Sequence, residues 1–309
     1  MNDGRSPAAV LEAGAEVRSL EWRESLLAIL AATPVAGYLD GQQWATEPTA
    51  LNALALLALD RSEAAFQATD RIADLQNGDG SVGAQPQTAS PGWPTSLAVL
   101  AWLAAANAGR QYGEFVAKAI AWILSERGKT SPRVPEVGHD TMLAGWSWAQ
   151  ATHSWIEPTA LYLVALKAAG HGQHVRAREA VQLLLDRQLP QGGCNYGNTV
   201  VMGNTLRPHV QPTGIALLGL LGEPTGGERV ERALRYLEQT VNEATTTMSL
   251  CWALLGLTAH GRRPALADAW LERAFRRTAE RDHSPYKYAL IALATLGDKA
   301  PLITLARVS

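Results

Sequence analysis

The chain has little sulfur, little charge and no long apolar run, and each shortage excludes a class of protein. Two cysteines in 309 residues, Cys194 and Cys251, are too few for a disulfide framework. Charged residues make up 18% of the sequence against a typical ~25%, which suits a chain with a large buried layer. The net charge is −2 and no basic block occurs; nucleic-acid binding needs clustered lysine and arginine, so no nucleic-acid partner is expected. No apolar stretch approaches the ~20 residues of a membrane span. The first residues, MNDGRSPAAVLEAGAEV, lack the apolar core of a signal peptide, so a soluble, cytoplasmic protein is expected, with peripheral membrane contact through a surface patch left open. Phenylalanine is rare, with three residues, whereas ten of the twenty aromatic side chains are tryptophan.

What the chain does have is repetition. Six nearly charge-free helical stretches recur: EPTALNALALLAL (47–59), WPTSLAVLAWLAA (93–105), EPTALYLVALKAA (157–169), QPTGIALLGLLG (211–222), TTMSLCWALLGL (246–257) and SPYKYALIALATL (284–296). Between them run amphipathic segments such as RSEAAFQATDRIADLQ, HVRAREAVQLLLDRQ and ERVERALRYLEQ. A helix that is apolar all round must be covered on every side, and one with a single apolar stripe can face water. Strict alternation of the two therefore predicts an all-α ring, an α/α toroid of six outer and six inner helices. The outer set is expected to open at Val17–Ala32 and close at Pro264–Thr278. Residues 1–309 read as a single toroid domain, because stacked repeats can exceed the usual ~250–300-residue limit of one core; residues 1–15 read as a flexible N-terminus.

Proline or threonine heads the inner helices, as suits helix entry, where proline needs no N–H and threonine can accept from an orphan amide. Glu47 and Glu157 precede the Pro-Thr pair at equivalent positions and favour the positive helix end, so they read as structural. Links from inner to outer helices are short. Links from outer to inner helices are long in the first four repeats, at 33–46, 77–92, 127–156 and 189–210, and hairpin geometry puts all four on one end of the ring. Long loops of this kind mark a binding face.

Two outer segments end in IADLQNGDGSVG (72–83) and LLLDRQLPQGGCNYG (183–197), each followed by a Pro-Thr inner helix. Glutamine at a helix end followed by glycine-rich sequence resembles the QW repeat of terpenoid cyclases and the related repeat of protein prenyltransferases, and GWSWAQATHSWIEPTALYLVAL (145–166) is similar to repeat proteins of the same superfamily. The resemblance implies the α/α toroid and an isoprenoid ligand. It departs from the family in three ways: Val82 stands where the repeat places tryptophan, no Asp-x-Asp-Asp acid motif occurs, and no Asp-x-Cys zinc motif occurs.

Features shared by the repeats hold the scaffold, so polar residues found in one repeat only are the functional candidates. The third loop supplies His139, Asp140 and His153; the fourth supplies Tyr196 and His209. Asp140, beside His139, is the expected general acid or base, its pKa raised by burial. Trp93, Trp146, Trp148, Trp155, His283 and Tyr286 are the expected substrate-binding set, aromatic faces being able to stabilise a carbocation. His153, Cys194, His209 and Asp140 are metal-ligand types but do not have a zinc spacing, so neither metal nor other cofactor is expected; NGDGS (77–81) reads as a turn. The function expected is terpene-cyclase-like or prenyltransferase-like action on an apolar isoprenoid held in the lumen. A non-catalytic lipid- or partner-binding toroid, with a second protein chain completing the site, and a carbohydrate-active toroid enzyme are the alternatives.

Overall fold

The computed structural model describes residues 21–134 and 136–307. The expected N-terminal stretch 1–15 and the first residues of the expected helix Val17–Ala32 lie outside them. Outer helices are α1 (21–32), α3 (Ser62–Ala73), α5 (Gly113–Ser125), α7 (Val175–Asp186), α9 (Gly227–Thr240) and α11 (Ala267–Arg281). Inner helices are α2 (Thr46–Ala58), α4 (Thr95–Asn107), α6 (Ile156–Ala168), α8 (Val210–Gly219), α10 (Thr247–Ala259) and α12 (Pro285–Thr295). The layers follow the sequence pattern: every residue of α6 except Ala168 is buried, whereas α9 buries only Ala233, Leu234 and Leu237. Each inner helix packs on the next, and α12 returns to α2, so the ring closes. Closure is also polar: Ser284 Oγ donates to the Tyr38 carbonyl at 2.5 Å, across 246 residues of chain.

The closest inner pair is α8 and α10, where Gly214 and Gly256 remove both side chains from the crossing. A Cβ on Gly256 would lie 2.5 Å from the Gly214 carbonyl oxygen, so the contact is backbone on backbone.

The four X-Pro-Thr heads work differently from the capping role expected of them. None of α2, α4, α6 and α8 is capped by a side chain. Each buried threonine instead accepts an amide from the preceding long loop: Thr49 from Ala36 at 3.1 Å, Thr95 from Val82 at 2.8 Å, Thr159 from Trp146 at 3.0 Å and Thr213 from Cys194 at 2.9 Å. A buried backbone N–H has to find a partner, and this repeated bond fixes where each long loop crosses the mouth of the ring.

The two glycine-rich segments at the outer-helix ends are likewise one device used twice. Gly80 and Gly192 both have φ of +94°, and a Cβ at either would strike the next outer helix, 2.3 Å from the Lys118 carbonyl oxygen and 2.5 Å from that of Arg232. Only glycine meets both demands. Asp79 closes the first turn by accepting from the Ser81 amide.

The end of the ring opposite the long loops is stoppered. Beyond α12 the chain turns through 297–299 into α13 (Pro301–Ala306), which packs against α2, α4, α6, α8 and α10 with Leu302, Ile303 and Leu305 buried. Near the same end Lys167 donates to the Gly219 and Leu221 carbonyls at the C-terminus of α8 and pairs with Glu223 at 2.7 Å, both side chains being nearly sealed from solvent. Arg178 also pairs with Glu223, so the buried lysine is fully partnered.

Candidate active site

With one end stoppered, the ring is a cup whose opening lies among the long loops. The cavity there has a volume of about 300 Å³, at the small end of the ~300–1,000 Å³ of ligand sites. Every inner-helix repeat contributes to its wall: Glu47, Trp93, Glu157 with Leu161, Gln211 with Ile215, Met248 with Trp252, and Ser284, Tyr286 and Lys287. Tyr38 and Leu39 from the first loop and Trp148 from the third complete it. Most of this wall is aromatic or aliphatic. The position before Pro-Thr points into the cavity in all four repeats that have it, as Glu47, Trp93, Glu157 and Gln211. Trp93 and Trp148 meet edge to face, with ring centroids 4.7 Å apart.

Two carboxyls sit in this apolar wall. Glu47 accepts from Tyr38 Oη at 2.7 Å on one oxygen and from Tyr286 Oη at 3.1 Å on the other. Burial drives its pKa up to about 7 against the opposing pull of the two phenols. Glu157 accepts from Gln211 Nε2 at 3.0 Å. Burial, aided by the charge of Glu47, raises its pKa to about 7 as well. Both groups therefore hold a proton over part of the neutral range, and the two phenol bonds, one to each oxygen, leave a further position on each Glu47 oxygen that can carry it. The Lys287 amine is held by Asp282. Trp252 Nε1 is buried beside Tyr286, out of contact with solvent.

Of the residues singled out from sequence, Trp93, Trp148 and Tyr286 line the cavity. Trp146 does not: it is buried, its Nε1 donates to the Ile123 carbonyl, and its ring lies 4.4 Å from the Arg176 guanidinium carbon. Trp155 stands before α6 and packs on His153, with ring centroids 4.5 Å apart. Tyr196 and His209 pair on the loop surface, both exposed, and His283 is exposed with φ of +45°.

Asp140 also lies outside the cavity wall. Arg133 binds both of its oxygens and the Met142 amide adds a third bond. The Arg133 guanidinium holds this carboxyl below its usual range, opposite to the rise expected of a buried acid. His139, bonded to Thr199 at 3.1 Å, is pushed down to about 4 by burial and the nearby Arg187 charge. Cys194 is sealed in the core, where burial pushes its thiol up to about 12.

The residues that sequence reading passed over are Glu47 and Glu157, set aside because they recur. A signal for them was present. The six inner helices carry four charges in all, Glu47, Glu157, Lys167 and Lys287, and three of the four face the cavity.

No family model matches the sequence, and no curated relative does. Solved structures share the fold. The type II terpene cyclase MstE from Scytonema, in complex with its product merosterolic acid A, superposes with a TM-score of 0.60 at 14% identity over 92% of this chain and 99% of that one. A second variant of that enzyme, with its substrate geranylgeranyl dihydroxybenzoate, gives 0.58 at 14% identity over 95% and 100%. A reducing-end-xylose releasing exo-oligoxylanase gives 0.57 at 14% identity over 97% and 94%. At this identity the likeness is one of architecture, and one architecture serves unlike chemistries. The chain shares with these enzymes the α/α toroid, built among the described residues from six outer and six inner helices.

Proposed function

We propose that this protein cyclises an isoprenoid by protonating a carbon–carbon double bond, with Glu47 as the acid. The observation that carries this reading is a carboxyl poised near neutrality, held by two phenols, in an otherwise mostly apolar and aromatic cup. Proton transfer from Glu47 forms a C–H bond and leaves a tertiary carbocation, which neighbouring double bonds attack to close rings. Tyr38 and Tyr286 stabilise the carboxylate that remains, and the faces of Trp93, Trp148 and Trp252 stabilise the migrating cation at ~0.5–2 kcal/mol per contact. Glu157, oriented by Gln211, takes a proton from the carbon beside the final cation. Exchange with solvent returns the proton to Glu47, so the net reaction is an isomerisation. Asp140 takes no chemical step in this reading.

A second reading follows from the same pair of carboxyls: glycoside hydrolysis, which also uses two carboxyl groups and tryptophan platforms, on a fold that the exo-oligoxylanase shares. The two readings separate in one experiment. The protein is incubated in D2O with geranylgeranyl dihydroxybenzoate and, separately, with xylo-oligosaccharides. Cyclisation gives a product with one carbon-bound deuterium and no change in elemental composition otherwise, absent with Glu47→Gln. Release of xylose selects hydrolysis. Binding of the prenylated compound without turnover by the wild-type protein would leave a carrier and sink the cyclase assignment.

A further inference from the structure

Among the described residues eight large apolar side chains are exposed, and six of them, Leu39, Val134, Met142, Tyr196, Val201 and Met202, lie in the long loops at the open end of the ring. An exposed apolar cluster of this kind marks a surface that something else covers. We infer that this end of the molecule docks on the surface of an anionic lipid bilayer, with the tip of the fourth loop inserted among the lipids.

The fourth loop presents that tip on a hairpin. Val200 pairs with Thr205 and Val201 with Asn204, and Met202 and Gly203 turn between them with φ of +50° and +75°. Two successive residues with positive φ in such a turn are ordinarily Asn-Gly, Asp-Gly or Gly-Gly. Here a methionine holds the first position against its backbone preference, and it is 95% exposed. The third loop braces the hairpin from behind: a Cβ on Gly138 would lie 2.6 Å from Val200 Cγ2, and His139 bonds Thr199 Oγ1 at 3.1 Å. Val134 and Met142, four residues before and four after Gly138 in the chain, are exposed as well. The apolar tips of the two loops are thus held together.

The charge around these tips has the sign that attracts anionic headgroups. The third and fourth loops carry Arg127, Lys129, Arg133 and Arg207 against Glu136 and Asp140, in a chain whose net charge is −2. Arg127 and Arg133 pair with Glu179 and Asp140, while Lys129 and Arg207 stand exposed. Apolar side chains flanked by lysine and arginine bind membrane interfaces by insertion and by headgroup attraction together. A protein partner is held by a packed, shape-matched surface; these side chains project from separate loop tips, and fluid lipid needs no fixed shape. The apolar surface also runs into the cup. Leu39 is both exposed and part of the cavity wall, and the Tyr196 carbonyl accepts from the Ile156 amide at 2.8 Å, one residue before Glu157. A ligand dissolved in the bilayer then reaches the cup without crossing water. Docking itself does not depend on the chemistry inside the cup, and vesicle binding is read without turnover.

The test is flotation of the full chain with vesicles of phosphatidylcholine alone and of phosphatidylcholine mixed equally with phosphatidylglycerol, at low and at high salt. The expected result is that the protein floats with the anionic vesicles and that salt weakens the binding. Met202→Asn gives the turn its preferred Asn-Gly pair and so keeps the hairpin; apparent affinity should fall about tenfold, the size of one inserted apolar side chain. Lys129→Gln and Arg207→Gln should each lower affinity for the anionic vesicles about fivefold. Val175→Asn, at an exposed apolar position where α7 starts, leaves binding unchanged, and unfolding curves confirm that the variants fold. Failure to float with either vesicle, or flotation that Met202→Asn retains in full, overturns the inference. Self-association in sedimentation velocity that Met202→Asn abolishes, with no vesicle binding, overturns it as well and assigns the patch to a second copy of the chain.

Discussion

Glu47 is held by opposing forces: burial, which favours its neutral acid, outweighs the two phenol donors that favour its anion. In the proposed reaction the protonated form is the active one, so turnover by the wild-type protein falls as pH rises through about 7. Glu47→Gln keeps the size and one of the two acceptor oxygens but has no acidic proton to give; kcat should drop by ~10²–10⁴-fold with KM within a few-fold, the usual contribution of a general acid. The same raised pKa has a consequence for stability. For Glu47 and Glu157 the folded value, about 7, lies above the ordinary 4.5, so the folded state binds protons more tightly than the unfolded one. Stability is full below the unfolded pKa and is lost as pH rises through the folded one. Since both groups face the cavity, the loss between pH 5 and pH 8 is about 1–2 kcal/mol for each, less than the ~3.4 kcal/mol that a shift from 4.5 to about 7 would give without solvent screening. Thermal unfolding across this range should show it, and Glu157→Gln should flatten part of the slope.

At the scale of the element, the hydrogen bond from loop amide to inner-helix threonine determines where the site residues stand. Thr159 holds the Trp146 amide at 3.0 Å, and Trp148 follows two residues later on the cavity wall. Thr159→Val preserves shape and removes the acceptor, leaving a buried N–H unpaired at a cost of ~1–3 kcal/mol. Denaturant unfolding measures that loss. Turnover should fall further than stability predicts, because the third loop carries Trp148. An equal effect from Thr258→Val, in an inner helix but away from any loop amide, would show that the anchor is not what matters. The sequence marked these threonines through repetition, while the role it suggested, helix capping, belonged to a different bond. Local spacing identifies a hydroxyl near a helix start; which amide reaches it depends on how a loop 13 to 19 residues upstream folds back.

For the molecule as a whole, α13 makes the difference between a ring and a cup. Ile303 is fully buried where it meets the inner helices. Ile303→Ala should cost ~2–5 kcal/mol, as large-to-small core changes do, measured by chemical unfolding; a cost below 1 kcal/mol would mean that the stopper is loosely seated. The closing contacts of the ring, Ser284 to Tyr38 and Tyr286 to Glu47, join the last repeat to the first at the cavity itself. Tyr286 therefore acts in two ways, as ring closure and as a partner of the proposed acid. Among the described residues no helix is long and apolar enough to cross a membrane.

The sequence by itself determined the alternation of inner and outer helices, the ring they build and the end on which the long loops gather, because hydrophobic period and loop length are local properties that twelve helices repeat. It also supplied Trp93, Trp148 and Tyr286 as wall residues. Only the tertiary structure decided that Glu47 and Glu157 are the carboxyls of the cup and that Asp140 belongs to an arginine pair on a loop. The physical reason is that a carboxyl's role depends on what surrounds it. Recurrence at the head of a helix marked the two glutamates as scaffold, yet in a closed ring equivalent positions converge on one axis, and the repeat that builds the wall also brings its rare charges face to face.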